Sequence, residues 1–198
     1  MKMNKQITNL RIRIKQRRLW LFCKRHFNKN LGEEHGPAHW KRVALFGEML
    51  CMMDPAADNT VINAFACIHD VERKNNLDDP GHGTRAAELA EKLRGNLLNY
   101  LDGHQMEMLK TACIVHTHLQ RTDSPTVNAC LDADRMDLPR YGTRPDPQRM
   151  ASEKGAETVS GEDFRERVWE KLRRDAANPV ATKKTILDRL EDTVRFHN

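Results

Sequence analysis

The chain has 198 residues, of which 31% are charged and 39% hydrophobic, a balance that belongs to a folded globular protein and excludes a disordered or membrane-embedded one. Its longest apolar stretches, residues 44–53 and 61–68, fall far short of the ~18 residues of a spanning helix. A net charge of +5 suggests a nucleic-acid partner, but residues 1–30 carry ten Lys/Arg and no acid, whereas residues 31–198 hold the other 23 basic residues and all 28 acidic ones. The body is therefore mildly acidic and carries a basic N-terminal arm.

The arm reads two ways. Ile7, Leu10, Ile14 and Leu21 recur at helical spacing, whereas residues 11–15 alternate as a strand would. An amphipathic helix is the preferred reading, with Trp20, Phe22 and Phe27 available either to stack on nucleic-acid bases or to dock the arm onto the domain over residues 31–198. Pro37 suits the first position of a helix that runs to about Met53 and is ended by Asp54-Pro55. A second helix is expected over about 60–73, with Val61, Ala64, Phe65 and Ile68 on one stripe. Residues 75–83 read as a loop, after which Thr84 can cap a further helix. Asp102 with Gln105 resembles a capping box that opens a helix to about Leu119, and another helix covers about 126–138. Beyond a Pro- and Arg-containing stretch, helices are expected over 162–174 and 182–196. There is no strand series and no internal repeat, so the class is all-α.

Met49, Met52, Met53 and Phe65 are expected in the core. The five cysteines have no C-x-x-C spacing and read as reduced, buried thiols. The apolar segment 19–23 is too short for a secretory leader, so a cytoplasmic location is expected.

Nine histidines are many for this length, and their positions are more telling than their number. His39 falls in the first turn of its helix, His69-Asp70 at the end of an apolar one, His82 at the opening of the next and His116 on the one after; Asp134 lies in Leu-Asp-Ala-Asp-Arg-Met-Asp. Imidazole and carboxylate together suit Mn, Fe, Ni, Co or Zn, with Mg also accommodated. Neighbours on an ideal helix point about 100° apart, so His69 and Asp70 can reach one ion only where the helix ends and its geometry relaxes.

The order His39, His69-Asp70, Asp134 resembles the H…HD…D signature of the HD-domain superfamily of metal-dependent phosphohydrolases. The flanking words strengthen the likeness: His-Trp-x-Arg-Val around His39, an apolar run before His69-Asp70, and Ala-Asp-Arg-Met-Asp around Asp134. The resemblance covers residues 35–140 and implies an HD-type helical bundle, with the basic helix and the C-terminal helices as additions. It also implies His39, His69, Asp70 and Asp134 as ligands of a divalent metal that activates water against a phosphate ester, with a nucleotide-like substrate. Asp132 and Asp137 would orient ligands or lie on the surface.

Some members of that superfamily place extra histidines between HD and the last aspartate, and His82 and His116 stand in about those places. They are candidates for a second metal or for catalysis, while the tandem His-His of many two-metal relatives is here His116-Thr117-His118. Glu72 is a candidate proton acceptor, and Arg73 and Lys74 are candidate donors to substrate phosphate. Arg42 is expected to pair with a helix-surface acid, His35 to be a turn residue, and His26, His104 and His197 to lie on the surface. Two alternatives remain open: an HD-type di-iron oxygenase, or a module that binds nucleic acid through residues 1–30 and keeps a structural metal.

Overall fold

A computed structural model describes residues 2–162 and residue 164. Among the described residues there are seven α-helices and no strand: α1 (Lys2–His26), α2 (Pro37–Met53), α3 (Asn59–Ile68), α4 (His82–Leu93), α5 (Gly103–Val115), α6 (Pro125–Arg135) and α7 (Glu153–Ser160). Short 3-10 turns occur at Lys29–Leu31, Leu138–Tyr141 and Pro147–Arg149. No described helix is long and apolar enough to cross a membrane. The side chain of Ile7, His197 and the helices expected over 162–174 and 182–196 fall outside what is described, apart from the first residues of the earlier helix.

The centre of the molecule is α3. Seven of its ten residues, Val61, Ile62, Ala64, Phe65, Ala66, Cys67 and Ile68, are buried, and it packs against α1, α2, α4, α5 and α6. A helix that is apolar on nearly every side is stable only when it is surrounded, and each large side chain so buried contributes about 1.5–3 kcal/mol. One residue aligns its neighbours. The Asp58 side chain caps α3 through Thr60 N–H and accepts from Gln105 Nε2 at 2.6 Å, while the Asp58 N–H donates to Thr126 Oγ1 at 3.0 Å. The N-termini of α3, α5 and α6 are thereby tied together, which sends the opposite ends of all three helices to a common region.

The element boundaries expected from sequence are shifted where side chains compete with the helical ladder. Pro37 occupies the start of α2 and Asp102 and Gln105 form the reciprocal capping box of α5. The α3 helix stops at Ile68 rather than continuing to residue 73, and α5 stops at Val115 rather than residue 119. In both cases a histidine follows immediately and its Nδ1 takes a carbonyl of the last turn: His69 that of Phe65 at 3.1 Å, His116 that of Cys113 at 2.7 Å. Thr84 is not a cap, because α4 already begins at His82 after Gly81.

The buried stripe of α1 is also not the one the sequence suggests. Leu19 and Cys23 of α1, with Phe27 just after it, enter the core, whereas Leu10, Ile14 and Leu21 face outward. Trp20 and Phe27 pack edge-on against Trp40 at centroid distances of 5.7 and 5.3 Å, so these aromatics dock the arm. Met52 is a further correction, since it is 75% exposed and not part of the core. The cysteines are free thiols, with Cys23, Cys67, Cys113 and Cys130 buried.

Two close approaches fix the fold near the histidines and behind them. A Cβ on Gly83 would overlap the Cys113 carbonyl oxygen, so the absence of a side chain lets α4 lie against the end of α5. Asp132 is buried and accepts from the Ala151 N–H, the Ser152 N–H and the Ser152 hydroxyl, which fastens the start of α7 to α6. Burial pushes its carboxyl pKa up against those bonds. Gly83→Ala should therefore lower unfolding free energy by about 1–3 kcal/mol through overpacking against backbone. Asp132→Ala should cost about 1–3 kcal/mol by leaving buried donors unpaired. Denaturant titration checks both.

Candidate metal centre

The site lies where α2 begins, α3 ends, α4 begins and α5 and α6 end. His39 and His69 meet with their Nε2 atoms 3.0 Å apart, and His82 and His116 meet in the same way at 2.9 Å. Asp70 stands between the two pairs. Its Oδ2 is 3.8 Å from His39 Nε2 and 3.6 Å from His69 Nε2, and its Oδ1 is 3.2 Å from His82 Nε2 and 3.8 Å from His116 Nε2. Asp134 joins the first pair, with Oδ1 3.3 Å from His39 Nε2 and 3.9 Å from His69 Nε2.

The tautomers follow from the outer nitrogens. His39 Nδ1 donates to Asp137 at 2.7 Å, His69 Nδ1 to the Phe65 carbonyl, His82 Nδ1 to the Asp79 carbonyl at 2.5 Å and His116 Nδ1 to the Cys113 carbonyl. Carbonyl and carboxylate oxygens accept only, so each Nδ1 carries a hydrogen and each neutral ring turns a bare Nε2 lone pair inward. The facing lone pairs of His39 and His69 call for a cation between or beside them, a proton or a metal ion, and beside those of His82 and His116 the Arg73 guanidinium already stands 3.3 Å from His82 Nε2. The Oδ1 of Asp134 is buried and has no hydrogen-bond partner among the described residues. Four inward imidazole nitrogens, a two-sided carboxylate and an orphaned carboxylate oxygen fit a divalent metal with nitrogen and oxygen ligands. The groups His39, His69, Asp70 and Asp70, His82, His116 are each compact enough to hold an ion.

The electrostatics agree with that donor set. Burial pushes the His69 pKa down to about 3, with Asp70 and Asp134 opposing it, so this ring is neutral and available as a donor. His116 is also disfavoured as a cation by burial, yet the nearby carboxylates of Asp70 and Asp134 raise its pKa overall. Asp70 is held well below the usual carboxylate range: burial opposes ionisation, but the nearby His69, the His35 Nδ1–H and the neighbouring His116 and His82 rings outweigh it. Asp134 is lowered in the same way, by His39, Arg140 and His69 against burial.

Around this set lies a ring of ion pairs. Asp137 accepts from His39 Nδ1 and from Arg42, whose Nε and Nη2 reach its two oxygens at 2.6 and 3.0 Å. The partner of Arg42 is thus a buried acid and not a surface one. His35 is not a simple turn residue either: it is buried, its Nδ1 donates to Asp70 Oδ2 at 2.7 Å, and its Nε2 accepts from the Tyr141 hydroxyl at 3.0 Å. Arg73 Nη1 lies 3.7 Å from Asp70 Oδ1 and 3.3 Å from His82 Nε2. Arg140 places Nη2 3.7 Å from Asp134 Oδ1 and Nη1 3.7 Å from Asp137 Oδ2, and that Nη1 is buried without a hydrogen-bond partner among the described residues.

The structure therefore brings His39, His69, Asp70, Asp134, His82 and His116 together, with Arg73 at the edge. It does not bring Glu72 or Lys74 to them. The Glu72 carboxylate is taken by His26 of α1 at 2.6 Å, and Lys74 is exposed, with its backbone N–H donating to Asp79. His26 is exposed, as are His104 and His118. His35, Arg140 and Tyr141 are the residues that sequence spacing misses, since they arrive from turns outside the helices. Compared with known proteins, the chain matches no family model, no curated protein and no solved structure.

Proposed function

We propose that the chain is a metal-dependent phosphohydrolase, and that His39, His69, Asp70 and Asp134 hold one divalent ion while Asp70, His82 and His116 hold a second. The observation that carries this reading is the Asp70 carboxylate, one oxygen turned to each pair of inward imidazoles. Divalent ions bound there supply a nucleophile at neutral pH and an electrophilic contact for a phosphoryl oxygen.

The residues around the cluster support an anionic substrate. Asp70, Asp134 and Asp137 are matched by Arg42, Arg73 and Arg140, so the charge of any bound cations is left for the substrate to balance. Asp134 is 18% exposed, whereas the side chains of Asp70 and the four histidines are at most 4% exposed, so substrate approaches over Asp134. Arg140, whose Nη2 lies 3.7 Å from Asp134 Oδ1, borders that opening, and Arg73 borders the other pair. Both are donors suited to phosphate oxygens. Their hold on the phosphoryl group keeps phosphorus in line as the water oxygen adds and the ester oxygen leaves. Asp137, held by Arg42, fixes the His39 ring in the tautomer that presents Nε2. His35, braced by Tyr141, does the same for the orientation of Asp70.

Metal analysis of the purified chain loaded with manganese should find about two ions per chain, as in two-metal hydrolytic sites. Asp70→Ala should lose both, and His82→Ala or His116→Ala only one. Phosphate release from a panel of nucleotides should disappear in His69→Ala and Asp70→Ala. Hydrolysis that survives Asp70→Ala, or a folded chain that takes up no metal, overturns the reading. Arg140→Gln should keep the metal content and lower kcat/KM by about ten- to a hundredfold, the worth of one hydrogen bond to a charged group.

A further inference from the structure

Among the described residues, the outward face of α1 is unused by the fold and by the proposed chemistry. At 100° per residue, Leu10, Ile14 and Leu21 fall within about 40° of one another, on the side of the helix opposite the buried Leu19 and Cys23. They are 58%, 50% and 40% exposed. Arg11, Arg18 and Arg25 flank this apolar stripe on one side, and Arg13, Arg17 and Lys24 on the other; all six are exposed. Trp20 and Phe27, packed on Trp40, and the bonds Lys15 Nζ to Asn99 and His26 to Glu72 fix the helix rotation, so this face stays outward.

We infer that α1 is an interfacial helix that docks the protein on an anionic phospholipid surface, with Leu10, Ile14 and Leu21 entering the acyl boundary and the six flanking cations meeting the headgroups. An apolar strip bordered by cations on both sides is the pattern of a helix lying in the plane of a membrane interface. The same pattern is poor for nucleic acid, where the centre of the contact should offer donors to phosphate and here offers leucine and isoleucine. It is poor for a second copy of the helix as well. A seam through Leu10, Ile14 and Leu21 would include Arg17 and Lys24, and residues 1–30 contain no acid to neutralise them. The acidic body, net −5 beyond residue 30, is repelled by such a surface, which orients the molecule with α1 toward it.

The test is co-sedimentation of the full chain with vesicles of phosphatidylcholine containing about a third phosphatidylserine, against vesicles of phosphatidylcholine alone. Binding is expected only to the anionic vesicles. The combined variant Leu10→Ser, Ile14→Ser and Leu21→Ser keeps every charge and changes only exposed positions, so its thermal unfolding should match the parent while its vesicle affinity falls at least about tenfold. No binding to anionic vesicles overturns the inference, and so does binding that the triple variant leaves unchanged. It is overturned too if duplex DNA or RNA binds more tightly than the vesicles, or if the chain forms a dimer in sedimentation equilibrium that the triple variant abolishes.

Discussion

A carboxylate buried as deeply as that of Asp70 must be compensated, and almost every feature near it follows from that requirement. It is 2% exposed, lies just past the end of the most apolar of the described helices, and remains ionised. An unpaired charge there would be prohibitive. The chain compensates it with His35 at 2.7 Å, with imidazole nitrogens on both sides and with Arg73 beyond them. Because its two oxygens serve different histidine pairs, Asp70 also makes one site of what would otherwise be two.

The fold is arranged so that these pairs can meet. The α3 helix runs from the capping node at Asp58 to the HD pair, and the same node aligns α5 and α6, whose far ends carry His116 and Asp134. Gly83 then lets α4 come close enough to α5 for His82 to face His116 across 2.9 Å. Helix ends are where this is achievable, because a side chain can take over a carbonyl of the last turn, as His69 and His116 do. The site is thus paid for by two helices that stop early.

The sequence carried the helices and the inner six residues, and it carried little else of the site. His39, His69, Asp70, His82, His116 and Asp134 stand beside recognisable helix boundaries, so their convergence could be anticipated. Arg140 and Tyr141 come from a 3-10 turn closed by Gly142 at φ 72°, and His35 from a turn held by the Trp40 Nε1–H at 2.7 Å from its carbonyl. Periodicity has nothing to say about such segments. Glu72 and Lys74 lie apart from the cluster for the opposite reason. Adjacency to Asp70 in sequence suggested adjacency in space, but the chain turns sharply after Ile68, and α1 claims the Glu72 carboxylate. The α1 helix has apolar residues on two opposite sides, and only packing decides which side faces the core.

That second point changes the relation between the basic arm and the site. A charged extension of thirty residues looks separable from an acidic body, yet a continuous chain of contacts runs from one to the other. Trp20 and Phe27 pack on Trp40, Trp40 holds the His35 carbonyl, and His35 donates to Asp70. A second path runs from His26 to Glu72, two residues from Asp70. Trp40 is fully buried, so removal of α1 would open it to water and loosen the residue that orients the central carboxylate. The inward side of α1 therefore belongs to the support of the proposed centre, and its outward side is free to meet a partner. One helix serves both because its two apolar stripes point in opposite directions.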